Sequence, residues 1–351
     1  MTPRELHLHI CIAAAASDRD KRYGVNEQAK GAISYQAGAL WPYRLVTALW
    51  QKLLDKFPET LSIETGTGVE EITWLPESPE SPYKIITNRG AISSRHVVHA
   101  TNGFSSQLIP GLRGKVFGFL GQMSAQRPGV KLPDLGGRRS WSIVYDTGFD
   151  YVSQRPSNEG DGAGDVMLGG GFTCSPKQGL DNTGVYDDSK TDVLTVAHLL
   201  GIMPAAFGAN WGAPSSTFPG GSPYKVWSGV MGAVGDSMPL VGQLDARLTS
   251  RGPRKRWGSI LDPLFRSQAV SAKDRPSEWI SAAYAGDGMV WAFLCGTALG
   301  ITIAGTAEDV REARPGMPAG ALGDWFPADE LAPSLERIRG LDIADMADEV
   351  M

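Results

Sequence analysis

The stretch AAYAGDGMVWAFLCGTALGITIAG, from Ala282 to Gly305, decides the fold class of this chain. Two glycines flank an aspartate in Gly286-Asp287-Gly288, and a long apolar run follows them. The preceding EWISAAY has the composition of a strand, so the segment predicts a strand that turns at these glycines into a helix. Small residues recur at every fourth position of the run and predict a flat stripe along one helix face. They are Ala292, Gly296, Gly300 and Ala304.

Two interpretations of this helix are open. Met289 to Gly305 is near the lower length limit of a membrane span, and its G-x-x-x-G spacing is one that pairs such helices. Alternatively, the helix lies in a protein core, where the small stripe lets another backbone approach closely. Two threonines, two internal glycines and the lack of a second span in the sequence favour the core helix.

The turn at Gly286-Asp287-Gly288 predicts a ligand site. A strand-to-helix turn leaves backbone N–H groups unbonded, with the positive end of the helix dipole behind them. Such an end attracts an anionic or carbonyl-bearing ligand group. Asp287 would oppose a phosphate, and no Lys-Ser/Thr pair follows, so a nucleotide triphosphate loop is excluded.

Composition narrows the class of protein. The chain has 351 residues, 42% of them hydrophobic and 20% charged, with a formal net charge of −5, which suits a large core and gives no nucleic-acid footprint. Three widely spaced cysteines argue against a disulfide framework, and the five histidines form no H-x-x-x-H pair, so no metal site is predicted. The apolar ICIAAAAS near the N-terminus is too short and too poorly flanked for a signal peptide. We therefore expect a cytoplasmic protein with no membrane or nucleic-acid partner.

The sequence pattern of the first half of the chain predicts a helix and several strands of an α/β fold. Pro42 opens an amphipathic helix through GALWPYRLVTALWQKLLDKFPET, which Pro58 ends. Short strands follow in LSIE and GVEEITW, and PYKIITNRGAISS reads as a hairpin turning at Asn88-Arg89-Gly90. The buried strand HVVHATNG then ends abruptly in Thr101-Asn102-Gly103, as is typical of an α/β sheet whose carboxyl edge lines a ligand crevice.

The second half is different in character. Residues from about 110 to 224 are rich in Gly, Pro and Trp, with short strand-like runs in SWSIVYD, FDYVSQ and DVMLGGGF. This pattern predicts a mostly antiparallel second domain. A polar insert from Leu248 to Pro276 is expected to be a surface excursion, and the acidic, proline-rich tail is expected to wrap the surface.

Taken in order, several segments resemble a known family. The chain is similar to the FAD-dependent oxidoreductases of the D-amino-acid oxidase and glycine oxidase-like (DAO) family, and most of all to its fungal branch. The pieces that carry the resemblance are GALWPYRLV (38–46), GVEEI (68–72), HVVHATNGF (96–104), GQM (121–123), GFDYVSQRP (148–156), VMLGGGF (166–172), WSGVMGAVGDSMPLVG (227–242) and GDGMVWAFLCGTALG (286–300).

The resemblance implies an α/β (α+β) fold with FAD as cofactor. It combines an incomplete FAD/NAD(P)-binding Rossmann-like domain with a mostly antiparallel β substrate domain. The FAD-binding domain is discontinuous, in residues 31–109 and 225–310, and lacks its N-terminal βαβ unit. The substrate domain covers 110–224, residues 1–30 are unassigned, and 311–351 form a C-terminal tail.

The resemblance also implies site residues. The turn amides near Gly286, Asp287, Gly288 and Met289 would meet the flavin's pyrimidine carbonyls, and the helix dipole would stabilise charge on the reduced ring. The other cofactor-binding candidates lie on three earlier segments. They are Val69 near the adenine, Ala100, Thr101, Asn102 and Gly103 along the dinucleotide, and Asp236, Pro239 and Gly242 near the isoalloxazine.

On the substrate side, the candidates lie in the second domain, which covers the flavin in relatives. They are Tyr145, Tyr151, Gln154 and Arg155. Arg155 could pair with a substrate carboxylate through two parallel hydrogen bonds. The alternative for each is an ordinary strand residue, since tyrosine is common on half-buried strands.

One element of the family is missing. The G-x-G-x-x-G turn that presents a helix N-terminus to the pyrophosphate does not occur in an appropriate context, so the chain is expected to begin after that segment. Two hypotheses remain. In the first, the protein oxidises a C–N bond of a small-molecule amine or amino acid by hydride transfer to flavin. In the second, it is a catalytically inactive, truncated remnant of such an oxidase.

Overall fold

We analysed a computed structural model of the chain. The structure describes residues 11–14, 24–26, 29, 32–156, 164–212, 225–252, 275–305, 313–314 and 316–345. Its strands are β1 Cys11–Ala14, β2 Ala32–Ser34, β3 Val69–Trp74, β4 Tyr83–Thr87, β5 Gly90–Ser94, β6 His96–His99, β7 Phe117–Gln126, β8 Ser140–Val144, β9 Phe149–Gln154, β10 Val166–Gly170, β11 Lys225–Ala233, β12 Leu240–Gln243 and β13 Ser277–Ala282. Its α-helices are α1 Pro42–Lys56, α2 Ser105–Leu108, α3 Val193–Phe207, α4 Ala246–Thr249, α5 Gly288–Ala304, α6 Leu322–Trp325, α7 Ala328–Leu331 and α8 Leu335–Gly340.

The chain divides into two compact units. Unit 1 comprises residues 1–49 and 120–229, and unit 2 comprises 50–119 and 230–351. The structure is a mixed α/β fold in which parallel and antiparallel strand pairs both occur.

Unit 1 is built on a five-stranded sheet in the order β11-β7-β10-β9-β8. The pairs β7–β10, β10–β9 and β9–β8 are antiparallel, as the sequence predicted for this half. Helix α3 packs on one face, where Leu199, Met203 and Phe207 join Val152 and Leu168 in the core. Side chains alternate along β9, so Asp150, Val152 and Gln154 are buried on the α3 side while Phe149 and Tyr151 are exposed on the other.

Sequence reasoning missed helix α3. Its N-cap, Asp192, accepts a hydrogen bond from the Thr195 amide at 2.7 Å and offered a start signal. The helix is apolar on most sides and contains Pro204, which hid the helical period. By length and composition, Val193–Asn210 is the one part of the described chain long and apolar enough to cross a membrane. One face of α3 nevertheless forms the core of unit 1.

Unit 2 contains the predicted strand-to-helix turn. Strand β13 pairs with β6 in parallel and with β12 antiparallel, and Leu240, Ile280 and Ala282 contribute to the core. Helix α5 follows β13, and its Cys295, Ala298 and Leu299 pack with Val241 and Trp279 in a second cluster. The predicted hairpin is confirmed as β4 and β5, in which Thr87 pairs with Gly90.

A buried ion network ties β6 to β13. The Glu278 carboxylate accepts hydrogen bonds from Arg251 Nε at 2.8 Å and Nη2 at 2.7 Å, and His99 Nε2 lies 2.8 Å from it. Arg251 also donates to the Leu108 carbonyl at 2.9 Å. Burial alone would raise the pKa of Glu278, but the hydrogen bonds from Arg251 and His99 lower it overall.

Several sequence predictions were wrong in detail. LSIE (61–64) forms no strand. The small stripe of α5 admits no neighbouring backbone, since a Cβ at Gly296 or Gly300 would have nothing within 4 Å among the described residues. The tail does more than wrap the surface, because Leu331 and Ile338 are buried in the two cores of unit 2. Most of the insert predicted as a surface excursion lies outside the described residues.

Candidate functional site

The turn between β13 and α5 has an unusual backbone. Ala283 and Ala285 have φ of 62° and 50°, and Gly286 has φ of 95°. Left-handed conformations cost alanine about 1 kcal/mol each, so the surrounding contacts must hold the turn in place. Strained backbone of this kind clusters at ligand-binding sites.

Asn102 supplies that restraint. Its side-chain oxygen accepts hydrogen bonds from the Ala283 amide at 2.9 Å and the Tyr284 amide at 3.3 Å. Asn102 itself has φ of 45°, a conformation that asparagine tolerates better than most residues. The Ala285 amide donates to the Gly232 carbonyl at 2.8 Å. The end of β6, the end of β11 and the turn after β13 are thus joined within unit 2.

Two glycines allow these segments to meet. A Cβ on Gly232 would lie 2.3 Å from the Gly103 nitrogen, and one on Gly103 would lie 2.9 Å from the Met231 carbonyl oxygen. Both contacts are with backbone, which has no rotamer through which to yield. The site therefore requires glycine at both positions.

The N-terminus of α5 is exposed and uncapped. The side chain of its N-cap, Asp287, makes no capping hydrogen bond. Gly286 and Asp287 are exposed, and 55% of the surface of Met289 is exposed to solvent. The amides of Gly288 and Met289 head the first turn, where a helix offers no internal acceptor. A 17-residue helix thus presents N–H groups that have no acceptor among the described residues, and the positive end of its dipole, to a ligand carbonyl or anion.

The other predicted cofactor residues have varied surroundings. Ala100 and Thr101 are exposed directly after β6, and Val69 is exposed at the start of β3. Asp236 is bound by Arg337, whose Nε and Nη2 donate to its carboxylate at 2.8 and 3.0 Å.

Arg337 engages the rest of that element as well. It donates to the carbonyls of Pro239 and Met238, while Gly242, with φ of 148°, packs against Pro333. The element Asp236–Gly242 is therefore held by the C-terminal segment of unit 2.

The predicted substrate-side residues of unit 1 separate into two pairs. The Gln154 side chain accepts from the Leu135 amide at 2.8 Å and donates to the Gly164 carbonyl at 3.1 Å, so it orders two loops. The Tyr145 hydroxyl donates to Asp150 Oδ2 at 2.5 Å. Both side chains thus make hydrogen bonds that support the scaffold.

Asp150 is the centre of a cluster that sequence reasoning missed. The carboxylate is fully buried, and His198 Nε2 lies 2.8 Å from the Oδ2 that also binds Tyr145. Burial, followed by the hydrogen bond to Asp150, raises the pKa of Tyr145 well above its ordinary range. Asp150 and His198 are 48 residues apart in sequence, and no local pattern links them.

Tyr151 and Arg155 form the second pair, and Tyr151 lies on the face of the sheet opposite α3. The Tyr151 ring lies against Gly169, its direct partner on β10, where a Cβ would be 2.3 Å from the ring carbon Cζ. Tyr151 is 41% exposed, and burial of the rest of its side chain raises its pKa. The Arg155 guanidinium stacks over the Trp41 ring, with Cζ 4.2 Å from the ring centroid. Trp41 lies within the segment GALWPYRLV that resembles the family, but the sequence did not predict it as a site residue.

Solved structures with similar folds include a glycine oxidase and a second amino acid oxidase. Glycine oxidase from Geobacillus kaustophilus matches 92% of this chain and 66% of its own, with a TM-score of 0.55 and 13% identity. A Tyr258Phe mutant of NikD, described as an unusual amino acid oxidase of nikkomycin biosynthesis, matches 94% and 69%, with a TM-score of 0.56 and 14% identity. The chain therefore shares the fold of glycine oxidase.

L-proline dehydrogenase from P. horikoshii has the same fold, with a TM-score of 0.51 at 14% identity, and covers 92% of this chain and 67% of its own. The chain spans about two thirds of the length of the glycine oxidases that it matches. No family model matches the sequence, and no curated protein matches it either.

Proposed function

We propose that the protein is an FAD-dependent oxidoreductase that oxidises a C–N bond of an amine or amino acid. The observation that carries the proposal is the exposed, uncapped N-terminus of α5, held on a strained turn in a chain with the glycine oxidase fold. Such a helix end stabilises negative charge placed against it.

The residues of this turn fit a ring that carries carbonyl groups. The amides near Gly286, Gly288 and Met289 would donate to those carbonyls, and the α5 dipole would favour the reduced, negatively charged ring. FAD, when bound, supplies the acceptor for a hydride. The substrate C–H bond would break as the nitrogen lone pair forms the C=N bond, so the substrate loses two electrons and its nitrogen must first be unprotonated.

On the substrate side, we propose Tyr151 and Arg155 as the residues that contact the amine or amino acid. Tyr151 is partly exposed, and the part of the chain that the structure describes offers its hydroxyl no hydrogen-bond partner. Arg155 carries a guanidinium whose fork geometry matches a carboxylate. The protein's contribution would be orientation and charge stabilisation.

A second candidate function is supported by a different observation. The apolar face of α1 is exposed at Leu45, Val46, Trp50 and Leu53, and that of α5 at Val290 and Phe293. Large exposed apolar surface is a liability for a lone soluble chain. The alternative is therefore a protein that keeps this fold but binds flavin weakly and has no oxidase activity.

The visible absorption spectrum of the purified protein separates the two functions. A flavin band that survives gel filtration, and that bleaches anaerobically on addition of an amine or amino acid, is the expected result. A colourless protein that takes up no FAD on incubation would contradict the proposal and support the alternative.

A further inference from the structure

Two arginines meet one tryptophan in unit 1. The Cζ atoms of Arg155 and Arg44 lie 4.2 and 5.2 Å from the centroid of the Trp41 ring. Guanidinium groups are attracted to an indole face, but two of them at one ring also repel each other. A negatively charged ligand bound beside this ring would offset that repulsion.

Arg155 has no countercharge in the part of the chain that the structure describes. No carboxylate among the described residues pairs with its guanidinium, and its Nε is buried without a hydrogen-bond partner. Buried N–H groups are nearly always satisfied, so an unpartnered one indicates a missing acceptor. The Arg155 backbone is fixed, since its amide donates to the Asp165 carbonyl at 2.8 Å. The guanidinium is thus held beside Trp41, and no carboxylate of the described residues neutralises it there.

The start of α1 adds to the positive field. The Leu45 amide donates to the Trp41 carbonyl, so Trp41 occupies the N-cap position of this 15-residue helix. An indole has no acceptor oxygen with which to cap the first amides. The first turn also contains no acidic residue. The positive end of the α1 dipole therefore lies at the same ring as the two guanidinium groups.

We propose that Arg155, Arg44 and Trp41 form a binding site for a ligand carboxylate. The planar guanidinium of Arg155 matches a carboxylate through two parallel hydrogen bonds, and Trp41 keeps it in place by stacking. The site assigns Trp41 and Arg44, beyond Arg155, to ligand selection. That this carboxylate belongs to the substrate rests on the proposed oxidase function, but binding itself requires no flavin.

Calorimetric titration of the full-length protein with succinate, at ionic strength fixed with NaCl, tests the site. We expect saturable binding that Arg155→Met weakens by about tenfold or more, the loss expected for one charge-assisted pair. Arg155→Lys keeps the charge and loses the fork, so a smaller loss is expected. Arg113→Met removes an exposed arginine of unit 2 and should leave binding unchanged.

Three outcomes would overturn the site. These are an absence of saturable succinate binding to the wild type, wild-type affinity in the folded Met or Lys variant, and tighter binding of inorganic phosphate than of succinate. Flavin content is measured on the same preparations. If the protein binds succinate but takes up no FAD, the oxidase proposal is contradicted and the carboxylate site stands. If it takes up FAD but does not bind succinate, the carboxylate site is contradicted and the oxidase proposal stands.

Discussion

Gly232→Ala is expected to destabilise the protein by breaking the junction that holds the turn before α5. The new Cβ would lie 2.3 Å from the Gly103 nitrogen, 2.6 Å from its Cα and 2.9 Å from the Asn102 carbonyl carbon. Ordinary contacts begin near 3.4 Å, so the two segments must separate by about 1 Å. Gly232 does not have a positive φ, so the cost is steric and not conformational.

The magnitude follows from the kind of atoms involved. Overpacking costs about 1–3 kcal/mol, and the upper end applies here because every contact is with backbone. Separation of the segments would also lengthen the hydrogen bonds from Ala283 and Tyr284 to Asn102. We expect the free energy of unfolding to fall by about 2–3 kcal/mol.

Gly296→Ala is the matched control. It makes the same chemical change in the middle of α5, where a Cβ would meet nothing within 4 Å among the described residues. Alanine is the better helix former, so this variant should gain about 0.5–1 kcal/mol. Urea titrations followed by circular dichroism measure both. A Gly232→Ala protein within about 0.5 kcal/mol of wild type would refute the packing argument.

Three further substitutions test other parts of the structure. Asn102→Ala removes the acceptor for the Ala283 and Tyr284 amides and places alanine at φ of 45°, so urea titration should show a loss of about 2–4 kcal/mol; no loss would mean that the turn holds itself. Arg251→Met leaves buried Glu278 without its strongest partner and should cost about 3–5 kcal/mol near neutral pH, whereas Arg247→Met, at a solvent-exposed pair with Asp245, should cost far less. The pKa of Glu278 is lower in the folded state than its ordinary value of 4.5, so its ion pair stabilises the protein above pH 4.5, and this stabilisation is lost as the pH falls through the folded-state pKa. The melting temperature of the Arg251→Met variant should therefore depend less on pH in that range than the melting temperature of the wild type. An equal dependence would contradict a stabilising Arg251–Glu278 pair. Tyr145→Phe removes a hydrogen bond to the buried Asp150 carboxylate and should lower the free energy of unfolding by about 1.5–3 kcal/mol, seen as a lower melting temperature. Tyr151→Phe should change the melting temperature little. Equal effects of the two substitutions would show that the hydrogen bond to Asp150 does not stabilise the protein.

The local sequence was sufficient to predict the strand-to-helix turn before α5. The strand β6 before the turn Thr101–Gly103, the hairpin at Asn88 and the glycines before α5 all follow from short-range patterns. Ala283 and Ala285 could not be predicted at positive φ, because alanine disfavours that conformation and it is held by hydrogen bonds that their amides donate to Asn102 and Gly232.

Other features depend on distant residues. The recurrence of small residues along α5 indicated a flat stripe but did not say what would cover it, and the stripe is largely exposed at Gly296 and Gly300. The Asp150–His198 contact joins a strand to a helix that had not been predicted. The stacking of Arg155 on Trp41 joins segments more than a hundred residues apart, which a single sequence does not reveal.

The dissociation constant for FAD, measured by quenching of flavin fluorescence during titration with the full-length protein, tests the central claim most directly. If the uncapped N-terminus of α5 receives the flavin, the wild type and Gly296→Ala should bind FAD saturably with similar affinity. Gly232→Ala, which displaces the turn, should bind about tenfold more weakly or worse. A wild type that shows no saturation, or a Gly232→Ala protein that binds FAD as tightly as the wild type, would contradict the account.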